Sequence, residues 1–343
     1  MIINGIDFGR IFWASGAENF FGPGEGTGHG WWYDRYLKIL SSRLVPMDYP
    51  TLITKTTPTF EKAGNMKLDK NLQPEEIFPD CMRLYPWQGV ALNAVGLSSP
   101  GAEYLFKMNG WQSINRPFFL SHMAVEATKE GQISEIEKFA LLLKKYQPYF
   151  IAPVGLEENF TCPNVGHNVS ETQKLEDRIF YSLEALAEME LGIPIFVKLN
   201  VLVSAQTMVK VARSGLCSGL SISNTVPFGA LPERIPWKKL FGTDKKEESP
   251  LAKYGGGGLS GWPLVDLTCE KIADFRQEEP DFPVIGGGGL NCRWFWRNTK
   301  KDIDKYVKAG ATALAFGTGK LLRPFYLGPA FRYAEKKLRE AGR

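Results

Sequence analysis

The chain has 343 residues, a formal net charge of +4 and a hydrophobic share of 44%, which is ordinary for a globular protein. This length exceeds the roughly 250 residues of a bare eight-stranded β/α barrel and suits one with insertions. Its lysines and arginines form no basic helix or aromatic-interleaved stripe, which argues against nucleic-acid binding. No run approaches about 20 apolar residues, so the sequence predicts no membrane span.

The cysteines are few and widely separated. They are Cys81, Cys162, Cys217, Cys269 and Cys292. No two of them form a CxxC pair, so neither a metal site nor an iron–sulfur cluster is expected. An odd, sparse set fits a reducing compartment, and the first residues lack the basic region and apolar run of a signal peptide. We therefore expect a cytoplasmic protein without a bound metal.

Short apolar runs alternate with helix-like segments along most of the chain. Eight runs are typical of strands and begin at Ile11, Thr51, Pro117, Tyr149, Ile195, Gly219, Pro283 and Ala313. Apolar residues at helical spacing predict helices at 134–145, 170–191, 205–214, 264–276, 302–309 and 329–338. Repeated strand–helix units imply a parallel sheet. A count of eight favours a closed (β/α)8 barrel, a TIM barrel, over an open sheet.

Two stretches interrupt this alternation. Residues 17–50 are rich in glycine and aromatic side chains, and residues 226–258 carry proline, charge and a four-glycine run. Long segments of this kind are usually functional loops. We predict one barrel domain over residues 1–343 with insertions at about 17–50 and 226–258.

The residues that follow the predicted strands are mostly polar or glycine. They are Ala14-Ser15-Gly16, Thr54-Lys55-Thr56, Ser121-His122, Asn159 to Asn164, Lys198-Leu199-Asn200, Asn224-Thr225, residues 286–289 and Gly317-Thr318-Gly319. The active site of a barrel enzyme lies at the carboxyl ends of its strands. The sequence therefore predicts that these segments share one site.

Three features of these strand ends indicate chemistry. The glycines after the last two strands suit a phosphate, although tight turns are the simpler reading. Lys55 and Lys198 would make a site for anionic oxygens if both faced one barrel mouth, whereas a single lysine there is usually a surface residue. Cys162 lies between Asn159 and Asn164, and a thiol there can take a proton if its pKa is lowered, although a lone cysteine is more often a buried apolar residue.

The ordered set of segments resembles the dihydroorotate dehydrogenase family over residues 1–325. Asn159-Phe160-Thr161-Cys162-Pro163-Asn164 resembles the family segment with the catalytic base, which is a cysteine in class 1 members. The other matching segments are Ala14-Ser15-Gly16, Thr54-Lys55-Thr56 with Gly64-Asn65, Asn93-Ala94-Val95-Gly96-Leu97, Val197-Lys198-Leu199, Asn224-Thr225, residues 257–261, residues 285–289 and Phe316-Gly317-Thr318.

This resemblance implies an FMN enzyme that oxidises dihydroorotate to orotate, in which Cys162 removes a proton and the neighbouring carbon gives a hydride to flavin N5. The implied FMN-binding residues are Ala14, Ser15, Gly16, Lys55, Lys198, Gly261, Gly288, Gly289, Gly317 and Thr318. The implied substrate-binding residues are Lys55, Asn93, Asn159, Asn164, Asn224 and Thr225. The resemblance also implies a homodimer, and it leaves fumarate, NAD through a partner subunit, and quinone open as the electron acceptor.

The sequence departs from the family in two places. Val165-Gly166-His167 stands where the family has a proline after its cysteine segment, and the insertion at 17–50 is long. Asn224-Thr225-Val226 and the run from Tyr254 to Gly261 look closer to the FMN domain of dihydropyrimidine dehydrogenase. Two alternatives therefore stay open: oxidoreduction of another dihydropyrimidine or related ring, and a barrel that binds FMN without turnover.

Overall fold

The computed structural model describes residues 1–39, 44, 46–161, 172–222 and 224–343. The strands are β1 Ile2–Ile3, β2 Ile6–Asp7, β3 Ile11–Trp13, β4 Thr51–Leu52, β5 Met82–Tyr85, β6 Val90–Asn93, β7 Phe118–His122, β8 Val154–Asn159, β9 Ile195–Leu199, β10 Gly219–Ile222, β11 Val226–Pro227, β12 Gly258–Gly261, β13 Val284–Gly287 and β14 Ala313–Phe316. The helices are α1 Asp34–Ile39, α2 Ala102–Lys107, α3 Lys129–Tyr146, α4 Thr172–Glu188, α5 Ala205–Arg213, α6 Trp237–Phe241, α7 Leu264–Arg276, α8 Trp296–Ala309, α9 Thr318–Leu322 and α10 Leu327–Glu340.

Eight of these strands form one parallel sheet in the order β4-β3-β14-β13-β10-β9-β8-β7. The two edge strands meet through bridges from Ile53 to Phe119 and from Thr57 to His122. The N–H of Thr54 also donates to the carbonyl oxygen of Phe119 at 2.9 Å. The sheet therefore closes on itself, with helices between successive strands, and the predicted (β/α)8 barrel is confirmed.

Aromatic rings fill the barrel at the amino ends of its strands. Phe12, Phe119 and Phe196 belong to one buried cluster there, and the hairpin of β1 and β2 adds its own apolar residues to that cluster. Two strand glycines make room for the rings. A Cβ on Gly155 would lie 2.4 Å from the Phe119 ring, and one on Gly219 would lie 2.3 Å from the Phe196 ring. A side chain at either glycine would therefore collide with this core.

A four-stranded antiparallel sheet, which we call the cap sheet, lies at the other end of the barrel in the order β11-β12-β6-β5. In it Asn93 pairs with Gly258, and Gly261 pairs with Val90. Its buried side chains pack with Val201, which follows the carboxyl end of β9. The sequence predicts no such sheet, although β11 falls inside the second predicted insertion.

Most predicted elements are present, but some boundaries were wrong. The strand predicted from Tyr149 begins at Val154, because residues 147–149 form a 3-10 turn and the Tyr149 side chain is 68% exposed. Helix α3 begins earlier than predicted, at Lys129, because the side chain of Thr128 caps it. Helix α8 also begins early, at Trp296. No helix within the described ranges is long and apolar enough to cross a membrane.

Candidate active site

The strand ends predicted to share a site lie together at the carboxyl end of the barrel. The described members are Ala14, Ser15 and Gly16 after β3, Lys55 after β4, Asn159 at the end of β8, Lys198 in β9, Asn224 and Thr225 after β10, Gly288 and Gly289 after β13, Gly317 after β14 and Thr318 at the start of α9. Asn93 and Gly261 are the last residues of β6 and β12 in the cap sheet. Cys162 and Asn164 lie outside the described residues.

A chain of polar contacts crosses five neighbouring strand ends. Ser15 Oγ lies 2.7 Å from Thr56 Oγ1, which lies 2.9 Å from Ser121 Oγ. Ser121 Oγ donates to Glu157 Oε1 at 3.1 Å, and Lys198 Nζ donates to the same oxygen at 3.2 Å. The ends of β3, β4, β7, β8 and β9 are therefore held in one network.

Two amide side chains form a second branch of this network. Asn159 Nδ2 donates to Thr56 Oγ1 at 3.4 Å. Asn224 Nδ2 donates to Asn159 Oδ1 at 2.9 Å and to Thr161 Oγ1 at 3.3 Å, while its Oδ1 accepts the N–H of Thr225 at 2.9 Å. These bonds fix which side of each amide is the donor and which is the acceptor.

Both lysines of the candidate site are nearly buried. Lys198 is 8% exposed and pairs with Glu157, which is 1% exposed. Lys55 is 6% exposed; its Nζ donates to the carbonyl oxygen of Ser98 at 2.5 Å and lies 4.8 Å from the centre of the Phe20 ring. Buried charges persist where they are paired or hydrogen-bonded, as both are here. Phe20 comes from the first insertion, so that insertion forms the wall beside Lys55.

Glycines allow three backbone segments to meet at this end of the barrel. A Cβ on Gly289 would lie 2.5 Å from the carbonyl oxygen of Gly261, and one on Gly261 would lie 2.5 Å from that of Gly89. Both Gly261 and Gly289 have positive φ angles, 137° and 82°, which favour glycine. A Cβ on Gly317 would lie 3.2 Å from the Cβ of Ala14. The backbone here is packed more closely than larger residues would permit.

The residues at this end suit FMN in three respects. Glycine-rich backbone follows β13 and β14, and helix α9 begins there at Thr318, an arrangement that favours a phosphate. The ammonium of Lys198 suits the negative charge of a reduced flavin. The buried Asn200, which follows β9, has an Nδ2 that makes no hydrogen bond to any described residue. A ring carbonyl is the kind of acceptor that such a donor requires.

Several polar residues of this network go beyond the site residues that the sequence predicts. Thr56 and Ser121 stand in the polar strand ends but show no signal for a role of their own. Glu157 does leave a signal, because it lies two residues before Asn159 in the same predicted strand. A strand places alternate residues on the same face, so Glu157 shares the inward face of Asn159.

A buried ion cluster fixes the first insertion to the barrel. Lys320 Nζ donates to Glu18 Oε1 at 2.7 Å and to Asp34 Oδ2 at 3.0 Å, and all three side chains are buried. Burial raises the pKa of Glu18 to about 8; the neighbouring Asp34 adds to the rise, and Lys320 opposes it. Nearby, Trp31 Nε1 donates to the carbonyl oxygen of Gly16 at 3.3 Å. The insertion is thus held against both the β14 end and the β3 end.

The described cysteines are poor candidates for a thiolate base. Burial raises the pKa of Cys81 to about 11 and those of Cys217 and Cys269 to about 12. Burial also raises the pKa of Cys292. These thiols stay protonated near neutral pH. Within the part of the chain that the structure describes, no group of three His, Cys, Asp or Glu side chains is placed to hold a metal ion.

Comparison with known proteins adds an independent observation. The family model of dihydroorotate dehydrogenase matches residues 70–330. A Lactobacillus delbrueckii subsp. bulgaricus protein named dihydroorotate dehydrogenase A (fumarate) is 30% identical over 233 residues, which is 66% of each chain. A Fusobacterium nucleatum subsp. nucleatum protein named dihydroorotate dehydrogenase B (NAD(+)), catalytic subunit, is 27% identical over 68% of each chain. The chain therefore spans slightly less than two thirds of the first relative and slightly more of the second.

Proposed function

The chain belongs to the dihydroorotate dehydrogenase family, and we propose that it is an FMN-dependent oxidoreductase that converts dihydroorotate to orotate in pyrimidine biosynthesis. Members of this family are FMN flavoproteins. The observation that supports the proposal most is the polar network from Ser15 to Lys198, with its branch to Asn159 and Asn224. It gathers the ammonium of Lys198 and two oriented amides at the end of the barrel that carries the glycine-rich loops.

The glycine-rich loops indicate where the phosphate of FMN would bind. The backbone N–H groups of Gly261, Gly288, Gly289, Gly317 and Thr318 would hold the phosphate, with the first turn of α9 beside them. FMN, when bound, would supply the acceptor for the hydride, which carries both electrons of the oxidation.

The ring of the cofactor would lie deeper in the barrel mouth. Ala14, Ser15 and Gly16 would line the β3 side, where Ala14 and Ser15 are partly exposed and Gly16 is exposed. Lys198 would lie near the pyrimidine side of the ring, and Lys55 would contact both ring and substrate. A cation there stabilises the negative charge that a reduced flavin carries.

The substrate would be held by amides and by Lys55. Dihydroorotate has a carboxylate, ring carbonyls and ring N–H groups, so it needs a cation together with both donors and acceptors. Asn159 and Asn224 already have fixed donor and acceptor sides, and Asn93, Thr225 and Asn164 complete the proposed set. Cys162, beyond the end of β8, would then remove a proton from one ring carbon while the neighbouring carbon loses a hydride.

Flavin absorbance under anaerobic conditions tests this proposal. Purified protein should be yellow, and dihydroorotate should bleach it. Cys162→Ala should retain FMN and slow the reduction by about 10²–10⁴-fold, the usual contribution of a general base. Cys269→Ala, which removes a thiol from α7, is the matched control and should reduce at the normal rate. Normal reduction by Cys162→Ala would remove this residue from the mechanism, and a yellow protein that dihydroorotate never bleaches would exclude the substrate.

Another dihydropyrimidine or a related ring is the second candidate substrate. Phe20 favours it, because an aromatic face 4.8 Å from Lys55 Nζ competes with a carboxylate for the same ammonium. The same anaerobic assay separates the two candidates. Bleaching by dihydrouracil without bleaching by dihydroorotate would select the second.

The electron acceptor is the other half of the proposed reaction. The names of the relatives include both fumarate and NAD(+). Mixing the reduced protein with fumarate or a quinone in a stopped-flow instrument would show whether either restores the yellow form. Failure of both would point to NAD(+) through a partner subunit.

A further inference from the structure

Buried ionisable side chains lie behind β7 and β8, on the side opposite the barrel interior. His122 is 0% exposed, Glu158 is 1% exposed and Arg178 of α4 is 9% exposed. Since side chains alternate along a strand, His122 and Glu158 point away from the face that carries Ser121 and Asn159. The His122 ring instead stacks on Phe139 of α3, with ring centres 4.1 Å apart. This cluster therefore backs directly onto the strands of the candidate site.

The hydrogen bonds of His122 restrict where its protons lie. Thr59 Oγ1 donates its single hydrogen to the carbonyl oxygen of Glu135 at 2.8 Å. It must therefore accept from His122 Nε2, which lies 2.9 Å away. His122 Nδ1 lies 2.8 Å from Glu158 Oε2, so a proton also sits between those two atoms. Whichever of the two atoms carries that proton, the pair has no net charge and its geometry is fixed on both sides.

Arg178 reaches the backbone at the point where β8 ends. Its guanidinium donates to the carbonyl oxygen of Phe160, and the N–H of Phe160 donates to the carbonyl oxygen of Lys198 at 3.3 Å. Both peptide units of Phe160 are therefore held, one by β9 and one by α4. Burial lowers the pKa of Arg178, against the opposing effects of Tyr181 and Glu158.

The same turn carries the amide of the candidate site. Asn159 immediately precedes Phe160, and its Oδ1 accepts from Asn224 Nδ2 at 2.9 Å and from the N–H of Thr161 at 3.2 Å. A shift of the Phe160 peptide would move both of those acceptor contacts. The contact of Arg178 on the outside of the barrel wall therefore affects the orientation of the Asn159 side chain at the barrel mouth.

We propose that His122, Glu158 and Arg178 are positioning residues that fix the turn over residues 159–161 from outside the barrel, and so orient the Asn159 amide toward the substrate. Arg178 acts on the turn through the Phe160 carbonyl, and the neutral His122–Glu158 pair anchors the preceding strand to β7 and α3. The substrate-facing role of Asn159 rests on the proposed function. The positioning of the turn does not.

Hydrogen–deuterium exchange of the FMN-loaded protein tests the positioning directly. Arg178→Met removes the donor to Phe160 and should raise exchange in a peptide over residues 157–161 by about tenfold or more, since amides that lose their structural restraints open more often. Arg178→Lys, which keeps the positive charge and one donor nitrogen, should restore part of the protection. Arg276→Met is the matched control, because Arg276 also donates to backbone carbonyls, those of Gly310 and Phe282, but at the amino ends of the strands. It should leave residues 157–161 unchanged.

Orotate binding, followed through flavin absorbance, gives the second measurement. The Kd for orotate should rise by about 10–100-fold in Arg178→Met, the usual effect of removing a supporting contact, with normal FMN content. Should Arg178→Met not fold, Glu158→Gln takes its place and should raise exchange in the same peptide. Unchanged exchange at residues 157–161 would overturn the positioning proposal. Failure of the wild-type protein to bind orotate would count against the proposed function, while exchange would still decide the positioning.

Discussion

Replacing Glu18 by Gln removes a carboxyl group whose protonation depends on the folded state. Glu18 shares the ammonium of Lys320 with Asp34, and all three side chains are buried. One ammonium balances one carboxylate, so a second negative charge would be uncompensated in a site shielded from water. Burial and Asp34 accordingly raise the pKa of Glu18 to about 8, against the opposing effect of Lys320. Gln is close in shape to the protonated acid.

The sign of the pH effect follows from the direction of this shift. Below the ordinary pKa of 4.5 the carboxyl is protonated in the folded and unfolded states alike. Between 4.5 and about 8 the folded protein keeps a proton that the unfolded chain has lost, so the free energy of unfolding falls as pH rises. The slope is about 1.4 kcal/mol per pH unit, or about 5 kcal/mol across the whole window. The free energy of unfolding of Glu18→Gln should lack this dependence on pH.

Urea denaturation between pH 5 and pH 8 measures this effect as a difference between two proteins. The free energy of unfolding of the wild type minus that of Glu18→Gln should fall by about 1.4 kcal/mol per pH unit over that range. Glu25→Gln, which alters an exposed glutamate in the same insertion, is the control. The difference between its free energy of unfolding and that of the wild type should not change with pH. Parallel pH profiles for wild type and Glu18→Gln would refute the reasoning.

Two further substitutions probe the barrel interior. Gly219→Ala should lower the free energy of unfolding by about 1–3 kcal/mol, because the new Cβ would lie 2.3 Å from the Phe196 ring. Adding Phe196→Leu should recover part of that loss. Full stability of the single variant would contradict the described packing. Glu157→Gln should lower the free energy of unfolding, measured by chemical denaturation, by about 3–5 kcal/mol, because it leaves the buried ammonium of Lys198 without its carboxylate. A loss below about 1 kcal/mol would show that the pair is not buried.

The barrel and the location of its candidate site were predictable because both depend on local patterns. Each barrel strand is a short apolar run followed by glycine or polar residues, and parallel strands place those ends at one edge. Helix α7 and strand β14 have the predicted bounds for this reason. The prediction of a strand from Tyr149 was wrong because Tyr149 and Ile151 are exposed. A run of apolar residues in a sequence does not show whether those residues are exposed.

The cap sheet and the buried ion clusters were not predictable in the same way. Strand β6 pairs with β12 from a distant part of the chain, and neither strand is long enough to show an alternating pattern. The sequence does not distinguish Glu18, Asp34 and Lys320 from ordinary surface charges. They become buried only because the first insertion packs against α9. The same holds for His122 and Glu158, since only the closed barrel shows which face of each strand is inside.

The match to the family begins at residue 70, yet part of the candidate site precedes it. Ser15, Lys55 and Thr56 all lie before the matched region, and Thr56 contacts both Ser121 and Asn159 inside it. Phe20 from the first insertion faces Lys55 across the same mouth. A part of the chain that precedes the matched region therefore shapes the wall nearest the proposed substrate. Differences in substrate choice from the named relatives are expected to map to residues 14–56 rather than to the glycine-rich loops, and exchanging that segment with the Lactobacillus relative would test this.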